Sequence, residues 1–266
     1  MDHQTETQTD GGALTLYWLQ SGGCGGDTWS LFNSELPHLA EFFEVLNIEV
    51  LWHASISNIG VADRQLLHEA ILSGKRKLDI LCVEGSVIRG PSGTGMFDTL
   101  FGRPKKDLLA ALAKKARYVL AVGTCSSFGG VGADGEIEAT GLQFHKWDSG
   151  GFLGKKFRSG SGMPVINLPG CPCHPGVVTG AIQTVISEGA LDLTPYNMPL
   201  EWYGTMVHQG CTRPDFPQQY PFFKTRNIEG IPIELPDGVN RAHYMAYKGI
   251  AAAAAPQRLK LRKTGI

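Results

Sequence analysis

Through the first two-thirds of the chain, short apolar runs alternate with segments of helical periodicity. Leu14–Leu19 (LTLYWL), Ile48–His53 (IEVLWH), Leu78–Val83 (LDILCV), Arg117–Val122 (RYVLAV) and Pro164–Leu168 (PVINL) read as strands. They are nearly continuous in apolar residues rather than alternating, as strands buried on both faces are. Between them, Ser30–Leu46, Ala62–Leu72 and Pro104–Ala116 carry helical patterns, and Pro175–Ile186 continues as a helix after the fifth run. Pro104 stands near the first turn of its segment, where a missing N–H breaks no hydrogen bond. Strands alternating with helices predict an α/β fold: a doubly wound parallel sheet, covered on both faces and joined by right-handed crossovers.

From Leu191 the alternation stops. Proline-rich turns follow (LTPYNMPLEW, CTRPDFPQQYP, EGIPIELPDG), then a predicted helix over Val239–Ala255 and a basic tail, RLKLRKTGI. The expected organisation is a disordered N-terminal tail over 1–12, a flavodoxin-like domain over 13–190, and an irregular, partly helical C-terminal extension over 191–266. The extension is expected to dock on something, such as another subunit.

Composition narrows the function. The chain is 42% hydrophobic with 24 Lys and Arg against 25 Asp and Glu, which removes support for general disorder and for nucleic-acid binding. Glycine occupies 34 of 266 positions, where ~7% is usual, and only 18% of residues are charged, where ~25% is usual. Backbone packed against a bulky group and surface covered by a partner are the expected causes. The sequence MDHQTETQTDGG has no arginine pair and no apolar core of a signal peptide, and no apolar run reaches the ~18 residues of a transmembrane helix. A cytoplasmic location is expected. The basic tail (Arg258, Lys260, Arg262, Lys263) allows at most weak association with anionic lipid.

In such a chain, six cysteines are ligands or core thiols rather than disulfides. Three of them follow predicted strands. The first strand runs into SGGCGGD with Cys24 and Asp27, the fourth into GTCSSFGG with Cys125, and the fifth into PGCPCHP with Cys171. Ligands of open α/β sheets bind outside the carboxyl ends of the strands, where these loops converge. Four donors suit an Fe4S4 cluster, and the flanking glycines let backbone N–H groups approach its sulfurs. The paired C-x2-C knuckles of structural zinc are absent. Asp27 has a second reading, as the N-cap of a helix starting at Thr28. Glu84, in VEGS, belongs to the rim of this site, either in a proton or positioning role or as a loop cap. Cys82 reads as a core thiol, Cys173 and His174 as incidental neighbours of Cys171, and His38, His53, His68, His145 and His243 show no metal spacing. Neither a P-loop nor a strand-linked G-x-G-x-x-G is present.

WLQSGGCGGD, VEGS, GTCSSFGG, LPGCP and WYGTMVHQGCTR, in that order over residues 14–213, resemble the small subunit of nickel–iron hydrogenases, in particular the cytosolic uptake type. The resemblance implies one Fe4S4 cluster, the proximal one, on Cys24, Asp27, Cys125 and Cys171. It also implies a partner large subunit carrying the Ni–Fe centre, and electrons from H2 oxidation passing through the cluster to an acceptor. A higher oligomer of such heterodimers is expected.

Two features depart from the family. The common first motif is C-x2-C, whereas this chain has C-x2-D, as some members do; a carboxylate is a harder, weaker donor to iron, so it should shift the cluster potential and loosen one iron. The family also continues past its H-x2-C with cysteines for two further clusters, yet no cysteine follows Cys211 here. Either the chain naturally carries one cluster, or a cluster-bearing insert is missing between Arg213 and Pro214, leaving His208 and Cys211 as a residual half-site. The alternative function is the small subunit of a hydrogenase-like H2 sensor that acts by protein contact. The related cluster subunit of respiratory complex I fits less well, because its first motif has two adjacent cysteines.

Overall fold

The structure, a computed structural model, describes residues 12–35 and 37–204. Five parallel strands form the central sheet: β1 (Leu14–Gln20), β2 (Ile48–Trp52), β3 (Ile80–Glu84), β4 (Tyr118–Val122) and β5 (Ile166–Leu168). Their order is β5-β4-β3-β1-β2. This is the doubly wound flavodoxin-like order, and its switch point lies between β1 and β3, outside their carboxyl ends. The two strands pair in register there, Leu19 with Val83 and Gln20 with Glu84.

Each strand feeds both faces of the sheet. Leu16, Trp18, Ile80, Cys82, Leu120, Val122, Ile166 and Leu168 enter one core, and Tyr17, Leu19, Leu81, Val83, Val119 and Ala121 enter the other. Apart from the ends of β1, the residues of β1, β3, β4 and β5 are buried on both faces, hence their unbroken apolar runs, while the edge strand β2 exposes Glu49. The first core is completed by α1 (Gly26–Phe32), α2 (Leu39–Val45), α5 (Gly123–Phe128) and α6 (Pro175–Ser187); the second by α3 (Val61–Ser73) and α4 (Lys105–Lys115). Cys82 is wholly buried among these residues, and burial pushes its thiol well above the ordinary range, as befits a core thiol.

One predicted element divides in two. The helical pattern over Ser30–Leu46 is α1 and α2, with α1 starting four residues earlier than the pattern suggested. Pro37 lacks the N–H that a continuous helix needs; Ser34 Oγ donates to the Pro37 carbonyl at 2.8 Å in the break. The first part of the expected extension packs on the first core. Asn167 N donates to the Asn197 carbonyl at 2.7 Å, and the short α7 (Leu200–Tyr203) buries Tyr203, whose Oη donates to the Pro169 carbonyl at 2.8 Å. His208, Cys211, the predicted helix over Val239–Ala255, the basic tail and most of the N-terminal tail lie outside the described residues. Among the described residues no helix is long and apolar enough to cross a membrane.

Candidate metal centre

The loop after β1 is strapped to the segment after β3. Ser21 N donates to the Glu84 carbonyl at 2.8 Å, Gly22 N to Ser86 O at 2.9 Å, and Ser86 N back to Gly22 O at 2.8 Å. The two backbones touch: Gly85 has φ +88°, and a Cβ there would lie 2.8 Å from the Gly22 carbonyl carbon. Only glycine satisfies both conditions. The strap fixes the start of the segment that carries Cys24, and Gly25, in the left-handed region, then turns the chain into α1.

After β4 the chain enters α5 without a loop, a short helix that the non-periodic GTCSSFGG does not reveal. It places Cys125, half-buried, in the first turn. Gly130 lies against that thiol, since a Cβ there would sit 2.6 Å from Cys125 Sγ. The loop after β5 is tied to α5 in turn: Thr124 donates to the Gly170 carbonyl through its N–H at 2.8 Å and its hydroxyl at 3.0 Å. Cys171, the next residue, is exposed, as is Cys24.

Asp27 joins the three loops. It lies within the first turn of α1, whose N-cap is Gly25, so the expectation that Asp27 caps a helix starting at Thr28 is corrected. Its Oδ1 instead accepts from the backbone N–H of Cys173 at 2.6 Å. Its other oxygen lies over the Cα of Gly123, where φ is +88° and a Cβ would be 2.1 Å from Oδ2. Sequence reading missed both partners, Gly123 and the Cys173 amide, because each is distant in sequence and acts through backbone.

The four donors act on one another electrostatically. Burial pushes the Cys125 thiol up to about 12, with the charges of Cys171, Asp27, Cys24 and Glu84 adding to it. Cys171 is raised by burial, then by Asp27 and Cys24. Asp27 is pushed up to about 7 by burial, with Glu84 adding and the Cys173 N–H working against both. Burial and neighbouring negative charge thus favour the protonated forms of Cys125, Cys171 and Asp27, and positive charge placed among them would reverse that preference. Among the described residues no three His, Cys, Asp or Glu side chains converge on one point closely enough to hold a single metal ion. Three thiols and a carboxylate brought by separate loops suit an iron–sulfur cluster better than structural zinc, whose paired C-x2-C knuckles are absent. The residues present therefore fit an iron–sulfur cluster.

The neighbours are structural. Cys173 is buried in the first core, its Sγ 4.0 Å from Tyr203 Oη. His174 caps α6, its Nδ1 accepting from Gly176 N at 3.1 Å. Around the loops lie exposed apolar side chains. Trp29, on α1, is 68% exposed and Phe97 57%, and Ser21 Oγ holds the Phe97 segment to the first loop by donating to Asp98 Oδ2 at 2.8 Å.

A family model described as NADH ubiquinone oxidoreductase, 20 Kd subunit, matches residues 24–185. The chain is 31% identical over 224 residues to the F420 non-reducing hydrogenase I small subunit of Methanosarcina mazei, covering 74% of this chain and 57% of that protein. It is 28% identical over 202 residues to the periplasmic NiFe hydrogenase small subunit of Solidesulfovibrio fructosivorans, covering 75% and 58%. The chain thus spans less than two-thirds of the length of these relatives. Two solved structures share its fold at 22% identity. The actinobacterial-type NiFe-hydrogenase from Ralstonia eutropha superposes with a TM-score of 0.67 over 78% of this chain and 64% of that one. The Ni-Fe-Se hydrogenase from Desulfomicrobium baculatum does so with a TM-score of 0.65 over 92% of each.

Proposed function

The chain belongs to the family of the NADH ubiquinone oxidoreductase 20 Kd subunit, and on that footing we propose that it is the electron-transfer small subunit of a NiFe hydrogenase. In this reading Cys24, Asp27, Cys125 and Cys171 hold one Fe4S4 cluster, and a large subunit carrying the Ni–Fe centre covers it. The observation that carries the reading is the Asp27 carboxylate, held between the Cys173 N–H and the Gly123 Cα so that the three thiol-bearing loops meet around it. The small-subunit relatives and the exposed apolar rim formed by Trp29 and Phe97 support a partner protein.

An Fe4S4 cluster supplies one-electron transfer at a potential set by its ligands and surroundings. The chain's own residues do the rest. Gly123 and Gly130 keep side chains away from Asp27 and Cys125. The Cys173 N–H orients the carboxylate, and the apolar rim excludes water once it is covered. The elevated Cys125 and Asp27 pKa values mean that iron must displace protons as it binds. His208 and Cys211 offer only half of a further ligand set, so the one cluster proposed is that on Cys24, Asp27, Cys125 and Cys171.

The test is co-expression with a hydrogenase large subunit, followed by iron and sulfide quantification on the purified complex. About four irons assigned to this chain are expected. A complex without sulfide, or with zinc in place of iron, would overturn the reading, and close to a dozen irons would show that ligands beyond these four are in use.

A further inference from the structure

Glu84 ends β3 at the switch point, and it is only 2% exposed. Its Oε1 accepts from Thr28 N at 3.0 Å. Its Oε2 accepts from Trp18 Nε1 at 3.0 Å, from Gln20 Nε2 at 3.0 Å, and from Thr28 Oγ1. Gln20 Nε2 also reaches Thr28 Oγ1 at 3.0 Å, closing the ring. Every one of these groups can donate, so the buried side chain is bound as an acceptor-only carboxylate. None of the four ion pairs among the described residues includes it, so no Lys or Arg is paired with its charge.

The donors come from two places: β1, which is fixed in the sheet, and the first turn of α1. That helix has seven residues and no side-chain N-cap of its own. A helix this short does not hold its position without tertiary contacts. Glu84 supplies the missing contact from the neighbouring strand, gripping Thr28 by both its amide and its hydroxyl. Asp27 is the adjacent residue, and Cys24 lies three positions before it.

We propose that Glu84 is a positioning residue for the cluster site: through Thr28 it sets where Asp27 and Cys24 stand against Cys125 and Cys171, and its buried charge, paired with no Lys or Arg, holds the potential of that site down. This rests on the reading that the site holds an iron–sulfur cluster. The direction of the charge effect follows from electrostatics. Reduction adds negative charge to a cluster, and a fixed negative neighbour in a low-dielectric interior opposes that addition. Glutamine at this position keeps the size, removes the charge, and retains one acceptor where the carboxylate has two.

The experiment uses the complex with the large subunit, reading iron content, the electron paramagnetic resonance signal and the midpoint potential of the cluster in a redox titration. Glu84→Gln is expected to raise the potential and to increase the fraction of three-iron cluster after mild oxidation, because Asp27 is less firmly held. Thr28→Val keeps the charge and the packing but loses the hydroxyl. It should increase the three-iron fraction with little change in potential, and Thr28→Ser, which keeps both donors, should restore the unaltered signal. If Glu84→Gln fails to fold, the valine and serine pair still decides the positioning role. A four-iron cluster whose signal, oxidative loss and potential are the same in Glu84→Gln and Thr28→Val overturns the inference while leaving the cluster in place. An unaltered complex without any iron–sulfur signal overturns the underlying reading instead.

Discussion

The backbone N–H of Cys173 donates to Oδ1 of Asp27 at 2.6 Å across a separation of 146 residues. One oxygen of the carboxylate is thereby committed to the loop after β5, so under the proposed function a ligand bond to iron would fall to the other. The hydrogen bond also gives Asp27 a structural role, so its variants must be chosen to separate the two.

Asp27→Asn keeps an acceptor for the Cys173 amide but removes the anionic donor. It should fold with nearly unchanged stability, yet yield a labile or three-iron cluster. Asp27→Ala should show the same iron defect and, in addition, lose roughly 1–2 kcal/mol through the unpaired amide. Asp27→Cys should still assemble four irons, since thiolate is the better donor, at a shifted potential. Iron quantification beside chemical denaturation checks all three. Full iron content in the asparagine variant would leave Asp27 with only its cross-loop hydrogen bond.

Gly123 is the counterpart of that carboxylate. An alanine there meets two costs, a φ of +88° and a Cβ placed 2.1 Å from Asp27 Oδ2. The backbone strain alone amounts to roughly 1–3 kcal/mol. Displacement of Asp27 comes on top of it and should reduce iron retention. Gly74, which also has a positive φ (+83°) but nothing within 4 Å of an added Cβ, provides the control. Gly74→Ala should lose stability and keep its iron. Equal iron in the two alanine variants would show that contact with Asp27 is unimportant.

The strands were legible because burial on both faces leaves an unmistakable apolar run, and glycine-flanked cysteines after three of them pointed to the switch point. The contacts that shape the site were not legible. Asp27 opens a helical segment, where capping and ligation call for the same side chain, and nothing in the sequence points to its partner, the distant Cys173 amide. Helix α5 is six residues long and carries no periodicity, so Cys125 read as a loop residue. Pro37 divides the Ser30–Leu46 pattern into α1 and α2, a break that the run of apolar positions on either side of it conceals. Glu84 was placed on the rim, whereas its partners Trp18, Gln20 and Thr28 come together only through the β1–β3 register.

A pH dependence originates on the opposite face of the sheet. Tyr17 Oη and His68 Nε2 are 2.7 Å apart in the second core, with Arg64 beside the pair and Phe101 packed against the imidazole. Burial, and then the Arg64 charge, lower the His68 pKa from 6.5 to about 4. The unfolded chain therefore takes up a proton that the folded one resists. Stability should be complete above pH 6.5, fall as the pH drops towards 4, and lose nothing more from this group below that. At ~1.4 kcal/mol per pH unit the loss is of order 3 kcal/mol at most. Denaturation of the chain at pH 7.5 and pH 4.5 should show a larger difference in the unaltered protein than in His68→Gln, which cannot take up the proton. Identical differences would place the acid sensitivity elsewhere.

Trp29 tests the partner proposal because its effects alone and in a complex should diverge. It projects from α1 two residues after Asp27, 68% exposed, and is steadied by an edge contact with Phe32 at a ring separation of 6.3 Å. An exposed side chain contributes little to the fold, so Trp29→Ala should change the stability of the isolated chain by no more than about 0.5 kcal/mol. A tryptophan covered at the centre of an interface commonly contributes 2 kcal/mol or more, so the same variant should bind the large subunit roughly 30-fold more weakly. Phe97→Ala, on the segment held to the first loop by Asp98, should weaken the complex in the same direction. Leu66→Ala, at an equally exposed apolar position on α3, should not. Titration of the large subunit against each purified variant supplies the comparison. If Leu66 matters and Trp29 does not, the partner covers the α3 face instead, and the rim around Cys24 and Cys171 remains open to solvent.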